Sequence, residues 1–158
     1  MGSREENFRD ALEKAFPGKT TVHIQRARRV WVTIDRKDLR DIASHLAKRM
    51  KFEHIATISA ADVRENIEVN YHFFHGNIVV TLKVPVPKTD PKVPSITDIF
   101  PGAILYEREF HDFLGVVPEG HPDLRRIFLP EKWMGGHPLR KDWTPKGYEA
   151  RVKPKEGE

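Results

Sequence analysis

Apolar residues recur along the chain with two periods, and the alternation between them marks out the elements. Phe8, Ala11, Leu12, Ala15 and Phe16 fall at helical spacing behind a Ser3/Glu6 capping box, until Pro17-Gly18 ends the run. Thr21–Gln25 and Arg29–Ile34 predict two strands joined by a hairpin at Ala27-Arg28, the second alternating Val30, Val32 and Ile34 against Arg29, Trp31 and Thr33. Asp35 or Asp38 caps a second helix that keeps Leu39, Ile42, Ala43, Leu46 and Met50 on one side. Phe52–Ser59 reads as a strand and Ala60–Glu65 as a loop or short turn. Ile67–Phe74 and Ile78–Val84 form the clearest hairpin, turned by His75-Gly76-Asn77. The fold class that follows is α+β: a two-layer domain of a mostly antiparallel or mixed sheet packed by helices.

The pattern changes after Val84. Pro85, Pro87, Pro91 and Pro94 predict a stiff connector leaving the sheet. Ser95 with Asp98 caps a short turn, and Pro101 leads into a third helix whose Ala103, Tyr106, Phe110, Phe113 and Leu114 form one apolar stripe, stopped at Gly115. Arg108, Asp112 and Leu105 lie on the opposite face, with Ile104 beside them, as a second contact surface. Beyond Val117 no period survives, and Pro118, Pro122, Pro130, Pro138, Pro145 and Pro154 interrupt helix and central strand alike. Yet this tail holds Ile127, Phe128, Leu129, Trp133, Met134, Leu139, Trp143 and Tyr148, too many large apolar side chains for a solvated linker. The organisation expected is an α+β core over 1–84, a connector and third helix over 85–117 that complete the domain, and an extended C-terminal interaction arm over 118–158. Residues up to about Val117 are expected to bury a core by themselves, and the arm to order on a neighbour.

Composition narrows the chemistry. The chain has no Cys, so it offers no thiolate for disulfides, zinc or iron–sulfur ligation. Lys and Arg number 27 against 23 Asp and Glu, a formal +4, and the stretch from His121 onward supplies +3 of it. Acidic residues and prolines interspersed in that stretch, with no nucleic-acid motif, argue against nucleic-acid binding. High charge without Cys suits a thermophile. No apolar run is long enough to span a membrane and no signal peptide is visible, which predicts a cytoplasmic protein. His121 and His137, each in Gly-His-Pro, with His111, Glu107 and Asp112 nearby in sequence, raise the alternative of a small His/carboxylate metalloenzyme, though the spacing matches no rigid ligand set. GxSxG, P-loop and GxGxxG motifs are absent, so the residues predict no catalytic site of their own.

Three linked blocks carry a resemblance: Tyr-Glu-Arg-Glu-Phe-His-Asp-Phe-Leu-Gly (106–115), Gly-His-Pro-Asp-Leu-Arg-Arg-Ile (120–127) and Gly-His-Pro-Leu-Arg-Lys-Asp (136–142). In order and spacing they resemble the signature of the 30 kDa subunit of respiratory complex I, a family shared with energy-converting membrane-bound nickel-iron hydrogenases and related ferredoxin-linked complexes. The Leu129-Pro130-Glu131-Lys132-Trp133 segment and the short length lean toward the hydrogenase or sulfur-reducing version. Complex I proper, reducing quinone from NADH or another donor, is the alternative. The resemblance implies a non-catalytic, cofactor-free subunit in a hetero-oligomer, with iron–sulfur clusters and a nickel-iron centre, if any, in its partners. Those partners are a large catalytic subunit and an iron–sulfur small subunit. The implied position is peripheral, on the inner face of the cell membrane. The implied docking surface is Glu107, Arg108, Glu109, Asp112, Arg125, Arg126, Trp133, Pro138, Leu139, Arg140, Lys141, Asp142 and Trp143.

Overall fold

A computed structural model of the protein describes residues 2–133 and 135–145. Helix α1 (Arg4–Ala15) begins at Ser3, whose Oγ accepts from the Glu6 N–H while the Glu6 carboxylate accepts from the Ser3 N–H, closing the expected capping box. The strands β1 (Thr20–Arg26) and β2 (Arg29–Ile34) pair antiparallel, and Arg28 takes the positive φ of 67° that so tight a hairpin requires. A single 3-10 turn (Arg36–Asp38) precedes α2 (Leu39–Lys48). Asp35 caps that turn, whereas Asp38 is buried and pairs with Lys19 at 2.7 Å.

Strands β3 (His54–Val63), β4 (Asn66–His75) and β5 (Ile78–Pro87) complete a five-stranded sheet in the order β1-β2-β5-β4-β3. It is mixed: β2 and β5 run parallel and every other pair antiparallel. One face carries Val30, Val32, Ile67, Val69, Phe73, Val80 and Leu82, all wholly buried in one core shared with Leu12 of α1 and Leu39 and Ile42 of α2. The other face is polar, with His72 bridging Ser59 and Thr81, and Lys83 5.6 Å from the Trp31 ring centre. Period-2 alternation is what a sheet covered on one side needs, so the two-layer expectation holds.

Two expected boundaries move. The loop expected at Ala60–Glu65 shrinks to Arg64-Glu65, because β3 stays in register with β4 to the Val63–Asn66 pair and Arg64 takes a positive φ of 54°. The connector expected from Pro85 begins later, since β5 runs through Pro87. Strand β2 stops opposite Lys83, so Pro85 and Pro87 pair only with β4 and their missing N–H costs the ladder nothing on the open side.

The connector then forms β6 (Lys92–Pro94), and the third helix is α3 (Ala103–Leu114). Helix α3 packs against β3, and Gly115 closes it in the left-handed conformation at φ 72°. A Cβ there would also run into the His137 ring, so this position is closed to other residues twice over. Directly after it, β7 (Val117–Glu119) pairs parallel with β6, and the Glu119 carbonyl accepts from the Ser95 N–H at 2.8 Å. This two-stranded ladder lies where the sequence shows no period, because three residues are too few for alternation to register.

Candidate functional site

The site is built on α3. Its first face is the apolar stripe, where Ala103, Phe110 and Leu114 are buried in the main core. Its opposite face, expected to meet another subunit, is covered by the chain's own tail at Arg108 and Asp112 and stays open at Leu105. Asp112 is 2 % exposed, and one carboxylate oxygen accepts N–H bonds from Ile127, Phe128 and Leu129 at 2.9, 3.0 and 3.2 Å. Burial pushes the Asp112 carboxyl up, but those three donors and the nearby Arg126 guanidinium more than offset it, so it titrates below the ordinary carboxylate range. Arg108 donates to the carbonyls of Arg125 and Arg126 at 2.7 and 2.9 Å. One turn of tail is thus held by a side-chain acceptor for its N–H groups and a side-chain donor for its carbonyls.

Further along, Arg140 Nε donates to the Leu114 carbonyl at 2.6 Å and the Leu139 N–H to the Phe113 carbonyl at 3.1 Å. Both bonds satisfy carbonyls left open at the end of α3. The Lys141 N–H reaches Asp62, which is buried and paired with Lys88 at 2.6 Å. Burial raises the Asp62 carboxyl and Lys88 with the Lys141 N–H lowers it, the balance lying below the ordinary range. Trp133 and Trp143 stack at 6.3 Å, and Trp133 Nε1 donates to the Gly136 carbonyl at 2.7 Å.

Of the residues expected on a docking surface, Glu107 and Asp112 are therefore corrected: both are buried and occupied within the chain. Arg108, Arg126, Arg140 and Lys141 spend main bonds on tying the tail down. Arg125 is exposed and pairs with Asp123, while Glu109, Trp133, Pro138 and Trp143 are half-buried and Asp142 is exposed. The described part of the arm, expected to order on a neighbour, also makes hydrogen bonds to backbone and side chains of its own domain, contacts that periodicity could not reveal. A chain cut at Val117 would strip Asp112 of its donors, which bears directly on the expectation that residues up to Val117 stand alone. Met134, Tyr148, Lys153 and Lys155 lie outside the described residues.

What the arrangement displays is apolar. Among the described residues the exposed large hydrophobic side chains are Phe74, Ile104, Leu105, Phe128 and Leu139, and all but Phe74 stand on α3 or the tail. Phe128 stacks on Phe113 at 5.4 Å with its outer face in solvent. Asp62 went unread in the sequence, although it continues the core-facing alternation Ile58, Ala60 of β3, and a carboxylate at such a position signals a buried partner.

The histidines do not converge on a metal. His121 accepts from the Asp123 N–H at its Nδ1 and so donates from Nε2 to the Ile104 carbonyl, while His111 and His137 bond the Val116 and Asp112 carbonyls. Among the described residues no group of three or more His, Cys, Asp or Glu is placed to hold a metal ion.

Glu107 is wholly buried, and its Oε1 accepts from the Ile96 N–H at 2.9 Å while Oε2 has no partner. Burial outweighs that bond and raises its pKa. An acid that keeps its proton longer when folded contributes stability fully below its unfolded value, about 4.3, and loses it as pH rises toward the folded value. Glu107→Gln should therefore flatten the loss of stability seen on raising pH from about 4 to 8. Urea midpoints of both proteins across that range decide it, and parallel curves would show that Glu107 ionises freely.

Residues 32–149 match the protein family described as respiratory-chain NADH dehydrogenase, 30 Kd subunit. The chain is 38% identical over 144 residues to the C subunit of an NADH-quinone oxidoreductase of Roseiflexus castenholzii, covering 89% of this chain and 79% of that one. It is 29% identical over 119 residues to the C subunit of the F(420)H(2) dehydrogenase of Methanosarcina mazei, covering 73% and 75%. In fold it resembles a chain of the membrane-bound sulfane sulfur reductase, an archaeal respiratory membrane complex, with TM-score 0.82 at 24% identity, covering 99% of this chain and 96% of that one. A trypsin-resistant fragment of Nqo5 matches with TM-score 0.65 at 27% identity, covering 77% and 100%.

Proposed function

The chain belongs to the respiratory-chain NADH dehydrogenase 30 kDa subunit family, and from that premise we propose that it is a non-catalytic scaffold subunit in the hydrophilic arm of a membrane-bound oxidoreductase, docking on the large catalytic subunit through α3 and the tail. The observation that carries this is the exposed set Ile104, Leu105, Phe128 and Leu139. These side chains project from backbone already braced by Arg108, Asp112 and Arg140, so little ordering cost remains for association. Exposed apolar groups on a rigid frame, rimmed by Arg125 and Arg126, have the composition of an interface.

In this reading the chain holds no cofactor of its own, since without Cys iron–sulfur ligation falls to the partners. No helix among the described residues is long and apolar enough to cross a membrane, which agrees with a peripheral position on the inner face. Between the two versions of the complex, similarity to NADH-quinone oxidoreductase chains favours a donor:quinone oxidoreductase over a hydrogenase.

Leu139 is 59% exposed, so Leu139→Asp should leave the melting temperature of the free protein within about 1–2 °C, a surface change being within about 0.5 kcal/mol. The same change should reduce recovery of the large subunit on affinity purification from the native host at least about tenfold, as burying an unpaired carboxylate does. Mass spectrometry of the recovered partners also separates hydrogenase from quinone-reducing complexes. Undiminished recovery would move the docking surface to the open face of the sheet.

A further inference from the structure

Helix α1, the end of α2 and the turn between β4 and β5 line a groove of about 710 Å3 that shares no residue with α3 or the tail. Its floor is apolar: Phe8 meets Phe52 edge-on at 6.0 Å, and Ala11, Met50 and Ile78 extend the surface. Its other lining residues include Arg4, Lys14, Arg49, His45 and His75, and none is acidic. Helix α1 also carries Glu5, Glu6, Asp10 and Glu13, yet all four lie off the groove, with Glu5 and Glu6 engaged at the Arg28 N–H and the Ser3 cap. Among the described residues, Arg4, Lys14 and Arg49 form no ion pair with a carboxylate.

We propose that this groove binds a single-chain anionic amphiphile, a long-chain carboxylate, with its head at Arg4, Arg49 and His75 and its hydrocarbon on Phe8, Phe52 and Met50. Each half of the ligand answers one half of the lining. An inorganic anion would leave the aromatic floor wet, and a neutral hydrocarbon would leave the cations without a counter-charge. The volume falls within the range of small-ligand sites, about 300–1,000 Å3. Helices form two of its walls, with backbone groups already bonded within them, so an extended peptide would find no ladder to join. The inference is independent of the docking reading, because the two surfaces have no residue in common.

The experiment uses the isolated full-length chain and sodium dodecanoate below its micelle concentration, followed by titration calorimetry and by amide and methyl shifts in NMR spectra. Saturable one-to-one binding is expected, with shifts confined to Phe8, Ala11, Met50, Phe52 and their neighbours. Dodecyltrimethylammonium, with the same tail and opposite head, should not bind, nor should acetate, which lacks the tail. The Arg4→Glu/Arg49→Glu double variant should weaken dodecanoate at least about tenfold, as loss of charge-assisted contacts does. Ala11→Trp, which fills the groove without touching its charge, should weaken it as well and keeps the test decisive if the double variant folds poorly. Equal affinity for the cationic amphiphile, absence of saturation, or association only with vesicles of phosphatidylglycerol would each overturn the proposal, the last in favour of a membrane-facing surface.

Discussion

A chain ending at Val117 should unfold about 3–5 kcal/mol more easily than the full-length protein, on the order of 10 °C lower in Tm. The reason is Asp112. Truncation removes the three N–H donors and the guanidinium that hold its carboxylate, 2 % exposed, below the ordinary titration range. It also removes the Lys141 N–H from Asp62, the Arg140 side chain from the end of α3, and Pro118 and Glu119 from β7. Water can reach the exposed face of α3 once the tail is gone, and this rehydration keeps the loss from growing further. Scanning calorimetry of both chains at neutral pH measures the difference. The gap should narrow as pH falls through the depressed titration of Asp112, because the full-length protein alone loses its charged bonds there. Equal melting temperatures would mean that the tail rests on α3 without stabilising it.

Phe110→Ala should cost about 3–5 kcal/mol, the range for truncating a buried aromatic side chain that its neighbours cannot replace. Phe110 is 4% exposed at the middle of the α3 stripe and belongs to the main core. Arg108→Ala is the informative companion. Its two bonds to the Arg125 and Arg126 carbonyls make it a brace of the tail, so a loss of about 1–3 kcal/mol is expected in the free protein, together with faster proteolysis between Pro122 and Pro130. Thermal melts with limited trypsin digestion read both effects. If Arg108→Ala leaves stability and cleavage unchanged while abolishing assembly, the guanidinium serves a partner and not the tail.

The helices and the five longer strands were legible because each buries one face, and burial of one face writes a period of 3.6 or 2 into the sequence. Helix α3 shows where that logic stops. Its first face is apolar and visible; on its second, Leu105 is exposed, while Asp112 and Arg108 meet backbone N–H and C=O groups of the tail, which demand a carboxylate and a guanidinium instead of Leu or Val. Side chains that complement a backbone look like side chains that face water. The same ambiguity hid Asp62, and it made the tail read as an arm awaiting a neighbour when the described part is seated on its own helix.

The proposed docking surface was half legible for a related reason. Leu105 and Ile104 stood out as apolar residues on a charged face and are exposed, as are Phe128 and Leu139 of the tail. Glu107 could not be separated from Glu109 by type or by neighbourhood, and one is wholly buried while the other is half-buried. By itself the sequence determined the class of fold, the order of the three helices and five longer strands, the family and the absence of thiolate chemistry, all of which follow from local patterns or from residue types. Only the tertiary structure decided which charges face inward and that β6 and β7 pair. It alone brought α1, α2 and a distant turn together around one cationic groove. Each of these depends on contacts between segments far apart in the chain, and a local pattern carries no record of what it will meet.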